Sequence, residues 1–373
     1  MKILIIPSLF ITDFKSRNLQ LFKTFFKKNI INREFMSLKD IQSHFFSAEH
    51  YNYSNIVKLN GKDDTFILGN YYSEYTTNVI PYYTRYPSSH SSEKATHLNL
   101  KGAYNILDKI DCILIGIKSV EYFNNFLKKA KKKNILISFL DYYDDPDIYK
   151  IEQISENRLT RNYVYRKDFD IFFKHDIPVN YYKKYLFSIC PMPINFENYP
   201  TIKIKSFNEK EFNISFSGRK HNKDHPERSR FVDFLSNKIS NFKINFLSSH
   251  EKIPLKNYCT LMNNSKIAFS PSGKVWDSTR HTECAIYKNV PLIKKPNCLL
   301  SNNFEVNENN SIIYDLNNEN SYKNVLERIN FVLNNEDEFN KVSSNWHNEV
   351  LNKCTLLSRS KFILNTIQDN LNV

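Results

Sequence analysis

The run Ser265 to Pro291, SKIAFSPSGKVWDSTRHTECAIYKNVP, gathers the residue types that hold a phosphorylated ligand. Lys266 to Phe269 reads as a buried strand, with Ser270, Pro271, Ser272 and Gly273 as the turn that follows it. Glycine in that turn lets backbone N–H groups approach a ligand closely. Ser278 or Thr279 can cap the next helix, whose unpaired N–H groups and dipole favour an anion at its start. Arg280 adds a planar, permanently charged fork suited to phosphate. One turn further along the same face, Glu283 can accept hydrogen bonds from the vicinal hydroxyls of a sugar. The plain alternative is a surface ion pair between Arg280 and Glu283, which is worth little. His281 and His225 read as exposed polar residues, and Trp276 either flanks a bound base or sugar or packs beside the turn.

A second candidate turn, Gly218, Arg219 and Lys220, follows the strand Asn213 to Ser217. It would set two cations at a strand end, where a diphosphate can lie between two domains. A charge-assisted hydrogen bond contributes roughly 1.5 to 3 kcal/mol, so two or three can hold a diphosphate without a metal ion. Read alone, the segment is equally a basic surface turn.

The strand, the Ser-Pro-Ser-Gly turn, Arg280, Glu283 and the strand Val290 to Ile293 together resemble the donor-binding core of GT-B glycosyltransferases. The exostosin-like and spore-maturation-type groups are the nearest. The resemblance spans residues 213 to 360. It implies two Rossmann-like βαβ domains facing a central cleft, with a C-terminal helix crossing back to the first domain. It also implies transfer of a sugar from a nucleotide-diphosphate donor to a glycan or lipid-linked acceptor, with bacterial surface-polysaccharide synthesis as the setting. Phosphate-binding residues then include Gly218, Arg219, Lys220, Ser272, Gly273, Ser278 and Arg280, with Glu283 on the ribose or donor sugar. Retaining members often carry a second Glu at the position occupied here by Val275, so an inverting route is favoured.

An inverting transfer needs a base for the acceptor hydroxyl. Asp13 follows the first strand, and Asp141, Asp144 and Asp145 follow the strand ending at Leu140; Asp13 and Asp144 are the candidates. For any one of them, capping or turn formation is the ordinary role. DYYDDPD resembles an acidic turn of some of these enzymes. FFKHD resembles a neighbouring strand end, which places Lys174 and His175 along the cleft.

These residues need elements to position them. Strand patterns at Lys2 to Ile6, Cys112 to Ile117, Asn134 to Leu140 and Asp168 to Lys174 alternate with helical ones at Ser16 to Lys28 and Val120 to Lys132. Such alternation implies a parallel sheet covered on both faces. Residues 40 to 100, rich in Tyr, Ser and His, are either an acceptor-facing insertion or irregular structure. The expected boundaries are a first domain over 1–198, a linker over 199–212, a donor domain over 213–345 and a returning helix over 346–373. Within the second domain, helices are expected at Arg228 to Ser240, Leu255 to Asn263 and Thr279 to Lys288. Helical patterns at Tyr322 to Asn334 and Asp337 to Thr366 close the chain.

At 373 residues there is room for two cores, and 41% apolar with 24% charged residues is ordinary for a globular enzyme. The net charge of +13 suits an anionic partner: a nucleotide sugar, a nucleic acid or an anionic membrane surface. The lysines of 128–133 complement a helix C-terminus or meet such a membrane. Dispersed basic residues without an RNP or GXXG pattern argue against nucleic acid. A nucleotide- or glycan-binding GT-B domain without turnover remains open. Six cysteines without CxxC spacing read as free buried thiols in a reducing cytoplasm. No metal-binding spacing is present, so no metal or other cofactor is expected beyond the donor substrate. Transient Mg²⁺ at the acidic turn is the exception left open. MKILIIPSLFI reads as a first strand rather than a signal peptide, which suggests a cytoplasmic protein with peripheral contact at the inner face of the membrane left open.

Overall fold

A computed structural model describes residues 1–6, 49–68, 96–116, 123–141, 153–156, 163–165, 169–175, 177–181, 183–194, 196, 199–219, 226–247, 253–273, 276–316 and 319–372. Asp13, Asp144, Asp145, Lys220, His225 and the helical pattern at Ser16 to Lys28 lie outside the described residues.

The first sheet has seven strands: β1 (Ile3–Ile6), β2 (Thr65–Leu68), β3 (Thr96–Leu98), β4 (Cys112–Gly116), β5 (Leu136–Asp141), β8 (Ile171–Lys174) and β9 (Leu186–Ser188). Their order is β3-β2-β1-β4-β5-β8-β9, and every pairing is parallel. A separate antiparallel pair is formed by β6 (Gln153–Glu156) and β7 (Tyr163–Tyr165). Sheet faces are assigned by alternation: Leu4 and Ile6 enter one core, Ile3 and Ile5 the other. Helices α1 (Glu49–Asn60), α2 (Leu100–Asn105) and α3 (Asn124–Lys131) accompany these strands, and the α3 C-terminus carries Lys128, Lys129 and Lys131. Residues 49–68 and 96–100, within the stretch read as an acceptor-facing insertion or irregular structure, contribute regular strands and helices.

The second sheet is β11-β10-β12-β13-β14, again all parallel, from β10 (Phe212–Gly218), β11 (Phe242–Phe246), β12 (Ser265–Ser270), β13 (Val290–Lys294) and β14 (Ile312–Tyr314). Helices α4 (Glu227–Lys238), α5 (Leu255–Asn263), α6 (Thr279–Glu283), α7 (Glu319–Asn334) and α8 (Glu336–Lys353) belong to this half. Ile267 and Phe269 face one core of this sheet and Ala268 the other. The expected helix from Thr279 to Lys288 is α-helical only to Glu283 and continues as turns.

The last helix, α9 (Leu356–Leu371), is capped by Thr355 and sends Ile363, Leu364 and Ile367 into the core beside Ile3 and Ile5. It therefore crosses back to the first sheet. The residues preceding it stay with the second: Phe339, Val342 and Trp346 of α8 are buried there. Where the chain crosses between the halves, its two passages run side by side, with Ile194 N–H donating to Cys354 O and Leu356 N–H to Ile194 O. Among the described residues no helix is long and apolar enough to cross a membrane. All six cysteines are buried and none is in a disulfide.

Candidate active site

In an open parallel sheet, ligands bind beyond the carboxyl ends of the strands where the strand order reverses. In the second sheet that point lies between β10 and β12. β10 ends at Gly218 and β12 at Ser270, so both candidate turns reach one crevice.

Gly218 matters there for space. A Cβ at this position would stand 3.2 and 3.3 Å from the Phe216 ring and 3.4 Å from Arg280 Nη2. The absent side chain is what lets the Arg280 guanidinium lie beside the strand end, 5.8 Å from the Phe216 ring centroid. No carboxylate pairs with Arg280 among the described residues, so the surface ion pair with Glu283 is not formed. Arg219 is exposed at the end of β10.

The sequence reading missed Arg228. Buried in the first turn of α4, it donates through Nη2 to the Ser272 carbonyl and through Nη1 to the Arg219 carbonyl at 3.4 Å, tying the two turns together. Burial, then the neighbouring positive charge of Arg280, push its guanidinium below the ordinary range. Arg228 Nε and Ser272 Oγ are both buried without a hydrogen-bond partner. A cation in the first turn of a helix opposes the dipole, and that anomaly was the available sequence signal.

Glu283 is 3% exposed and accepts from Tyr258 Oη at 2.7 Å and from Tyr199 Oη at 2.8 Å. Tyr199 belongs to the interdomain segment, so the carboxylate joins that segment to α5 and α6. Ser278 precedes α6 but makes no side-chain cap bond, and α6 has five residues, which leaves little helix dipole at this point. Ser272 is buried, and Gly273 is half-buried beside it.

His281 is fully buried, contrary to the exposed position expected for it. Ser270 Oγ lies 2.7 Å from its Nδ1, and its Nε2 is 2.9 Å from the Trp276 carbonyl, which can only accept. The imidazole is therefore the neutral Nε2–H tautomer, bracing the two ends of the turn. Trp276 packs on this ring and donates to Lys294 O at 2.6 Å, so it is a packing residue.

Burial pushes His281 down to about 4 from an ordinary 6.5. Between those values the unfolded chain binds the proton and the folded one does not, so stability rises with pH across this window. It is complete above about 6.5 and lost as pH falls toward 4. The expected contribution is about 2 kcal/mol between pH 7 and pH 5. Urea unfolding at the two pH values should show His281→Asn losing less stability on acidification than the wild type by about that amount.

In the first domain, Lys174 and Asp141 end paired strands and form a buried ion pair at 2.8 Å. His175 Nε2 lies 2.5 Å from Asp277 Oδ2, which also accepts from Met192 N–H at 2.7 Å. Burial raises the Asp277 carboxyl, but the hydrogen bond and charge of His175, with the Met192 N–H, outweigh it and hold the group below the usual range. Asp277, unremarked in the sequence, thus brings the segment before α6 against the first domain.

No protein-family model matches the chain, and no curated protein sequence does. Among solved structures, Anabaena HepE in complex with UDP and glucose is similar with a TM-score of 0.51 at 7% identity, over 99% of this chain and 100% of that one. A glycosyltransferase from Rickettsia africae reaches 0.51 at 10% identity, over 99% of both chains. The structural neighbours are GT-B glycosyltransferases, and the fold of this chain is GT-B, with two parallel-sheet α/β domains.

Proposed function

We propose that the protein transfers a sugar from a nucleoside-diphosphate donor to a hydroxyl of a glycan or lipid-linked acceptor. The observation that carries this reading is the convergence of Arg228 and Arg280 on the switch point of the second sheet. The like charges repel, Arg280 has no carboxylate partner among the described residues, and Ser272 Oγ is buried and unpartnered beside them. A diphosphate would pair with both guanidinium groups and with Ser272, supplying the anion that the chain does not. Arg219, Lys220, Gly218, Gly273 and Ser278 complete the proposed donor set, and Glu283 is assigned to the ribose or donor sugar.

In this reading the acceptor oxygen attacks the anomeric carbon as the bond to the diphosphate breaks. The leaving diphosphate takes the electron pair and is stabilised by the arginines. A first-domain carboxylate, Asp13 or Asp144, takes the acceptor proton, and the outcome is inversion. Lys174 and His175, both buried, are assigned to the cleft wall as supports behind the strand end rather than as groups that touch the ligand. Closure of the two domains over the donor would exclude water. HepE was solved with UDP, which makes UDP the first nucleotide to try. The spacing of Arg280 and Glu283 favours the exostosin-like and spore-maturation-type groups and a role in surface-polysaccharide synthesis. No metal or other cofactor is assigned to the transfer.

Thermal unfolding with UDP, GDP, CMP, ADP and dTDP, with poly(U) as control at two salt concentrations, tests the site. A ligand that binds only the native state stabilises it by mass action. One preferred nucleotide, with its shift abolished in Arg280→Ala, is the expected result. Salt-sensitive stabilisation by poly(U) with no nucleotide response would overturn it in favour of nucleic-acid binding.

A further inference from the structure

Four buried side chains from four separate segments meet where the two domains join. His175 follows β8, Cys190 follows β9, Asp277 precedes α6 and Cys298 follows β13. One ligand atom each from His175, Cys190 and Asp277 lies within 4.8 Å of the other two. Cys298 Sγ is outside that three-residue group but stands 3.5 Å from Cys190 Sγ, so a rotation of its side chain would bring it in as a fourth ligand. Asp277 Oδ1 is buried with no hydrogen-bond partner, while Oδ2 already receives the Met192 N–H. Leaving one oxygen of a buried carboxylate unmet is costly unless a cation takes it.

We propose that Cys190, Cys298, His175 and Asp277 bind a zinc ion that staples the two domains together. Two thiolates, an imidazole and a carboxylate form a four-coordinate donor set suited to zinc. With bonds of about 2.3 Å, two thiolates on one tetrahedral zinc stand about 3.8 Å apart. The 3.5 Å between the two sulfurs is close to that, and well beyond the ~2.05 Å of a disulfide.

The charges also fit. Two thiolates and a carboxylate around Zn²⁺ leave one net negative charge. Arg359 is fully buried, has Nε and Nη1 unpartnered, and donates through Nη2 to the Pro191 carbonyl at 2.6 Å, one residue from Cys190. Its guanidinium supplies the compensating positive charge. No zinc motif was visible in the sequence because the four ligands are spread from 175 to 298 and only the fold brings them together. None of the four residues contacts Arg228, Arg280 or Ser272 in the hydrogen bonds described above, and the zinc assignment does not depend on the nucleotide reading.

The test is elemental analysis of the full chain, purified without a histidine tag under reducing conditions. Stoichiometric zinc is expected in the wild type and in Cys112→Ser, whose cysteine lies in the first sheet. Loss is expected in Cys190→Ser and Asp277→Asn. Because loss of the ion can also unfold these variants, wild-type protein stripped with a chelator is reloaded with Co²⁺ as well. Thiolate-to-cobalt charge transfer with the visible bands of a tetrahedral ion, at unchanged circular dichroism, is the expected spectrum. Three results would overturn the proposal: natively folded wild type with neither zinc nor a cobalt spectrum, full zinc retained in Cys190→Ser, or a Cys190–Cys298 disulfide in metal-free protein.

Discussion

Arg280→Ala is expected to lower kcat/KM for the donor nucleotide sugar by about 10²-fold or more, while the ligand-free protein keeps its stability within about 1 kcal/mol. The size follows from the bonds removed. A guanidinium facing a diphosphate makes one or two charge-assisted hydrogen bonds of roughly 1.5 to 3 kcal/mol each, and 1.4 kcal/mol is about a factor of ten. Stability should hold because Arg280 has no carboxylate among the described residues to leave behind, and its removal relieves the repulsion that, after burial, lowers the Arg228 guanidinium. Arg280→Lys keeps a charge but not the planar fork, so it should restore only part of the lost rate. Steady-state kinetics beside urea unfolding separates the two effects. A variant that loses stability in step with rate would mean that Arg280 packs against Phe216 and does no more.

The parts of this fold that could be read from the sequence are those whose periodicity is local. β1 and β4 are continuous apolar runs, β5, β10, β12 and β13 carry apolar residues interrupted by Ser, Asn or a terminal charge, and all six are largely buried and fall where the sequence pattern predicts strands. β9 and β14 have three residues each and carry too little pattern to register. The pattern over Asp337 to Thr366 looked continuous, yet the chain breaks at Cys354 and Thr355 because Ile194 pairs with that point from the other crossing.

Legibility of the site divides the same way. Gly218, Ser272 and Arg280 announce themselves through glycine and charge beside strand ends. Arg228 and Asp277 gain their importance from partners far away in the sequence, Ser272 and His175, which no spacing rule connects. His281 sat in a polar stretch and was misjudged as exposed, since only the packed turn shows that Ser270 and the Trp276 carbonyl satisfy both ring nitrogens. Burying a polar ring is tolerable once both nitrogens are bonded.

Glu283→Ala is expected to cost about 2 to 6 kcal/mol in unfolding free energy, from two buried or half-buried tyrosine hydroxyls losing their acceptor at roughly 1 to 3 kcal/mol each. Burial, and then the Glu283 charge, hold the Tyr258 phenol well above its usual range, so it serves as a donor at any ordinary pH. The sequence assigned this carboxylate to hydroxyls of the ribose or donor sugar; the structure adds that it anchors Tyr199 of the interdomain segment to α5 and α6. Tyr258→Phe separates the two roles, because it removes one strut and leaves the carboxylate in place. Under the ribose assignment, Tyr258→Phe loses stability but keeps nucleotide affinity, whereas Glu283→Gln loses affinity beyond its loss of stability. Calorimetric titration with the preferred nucleotide, beside urea unfolding, reads both. Equal losses of affinity in the two variants would place Glu283 wholly in the framework, with Arg228 and Arg280 alone contacting the donor.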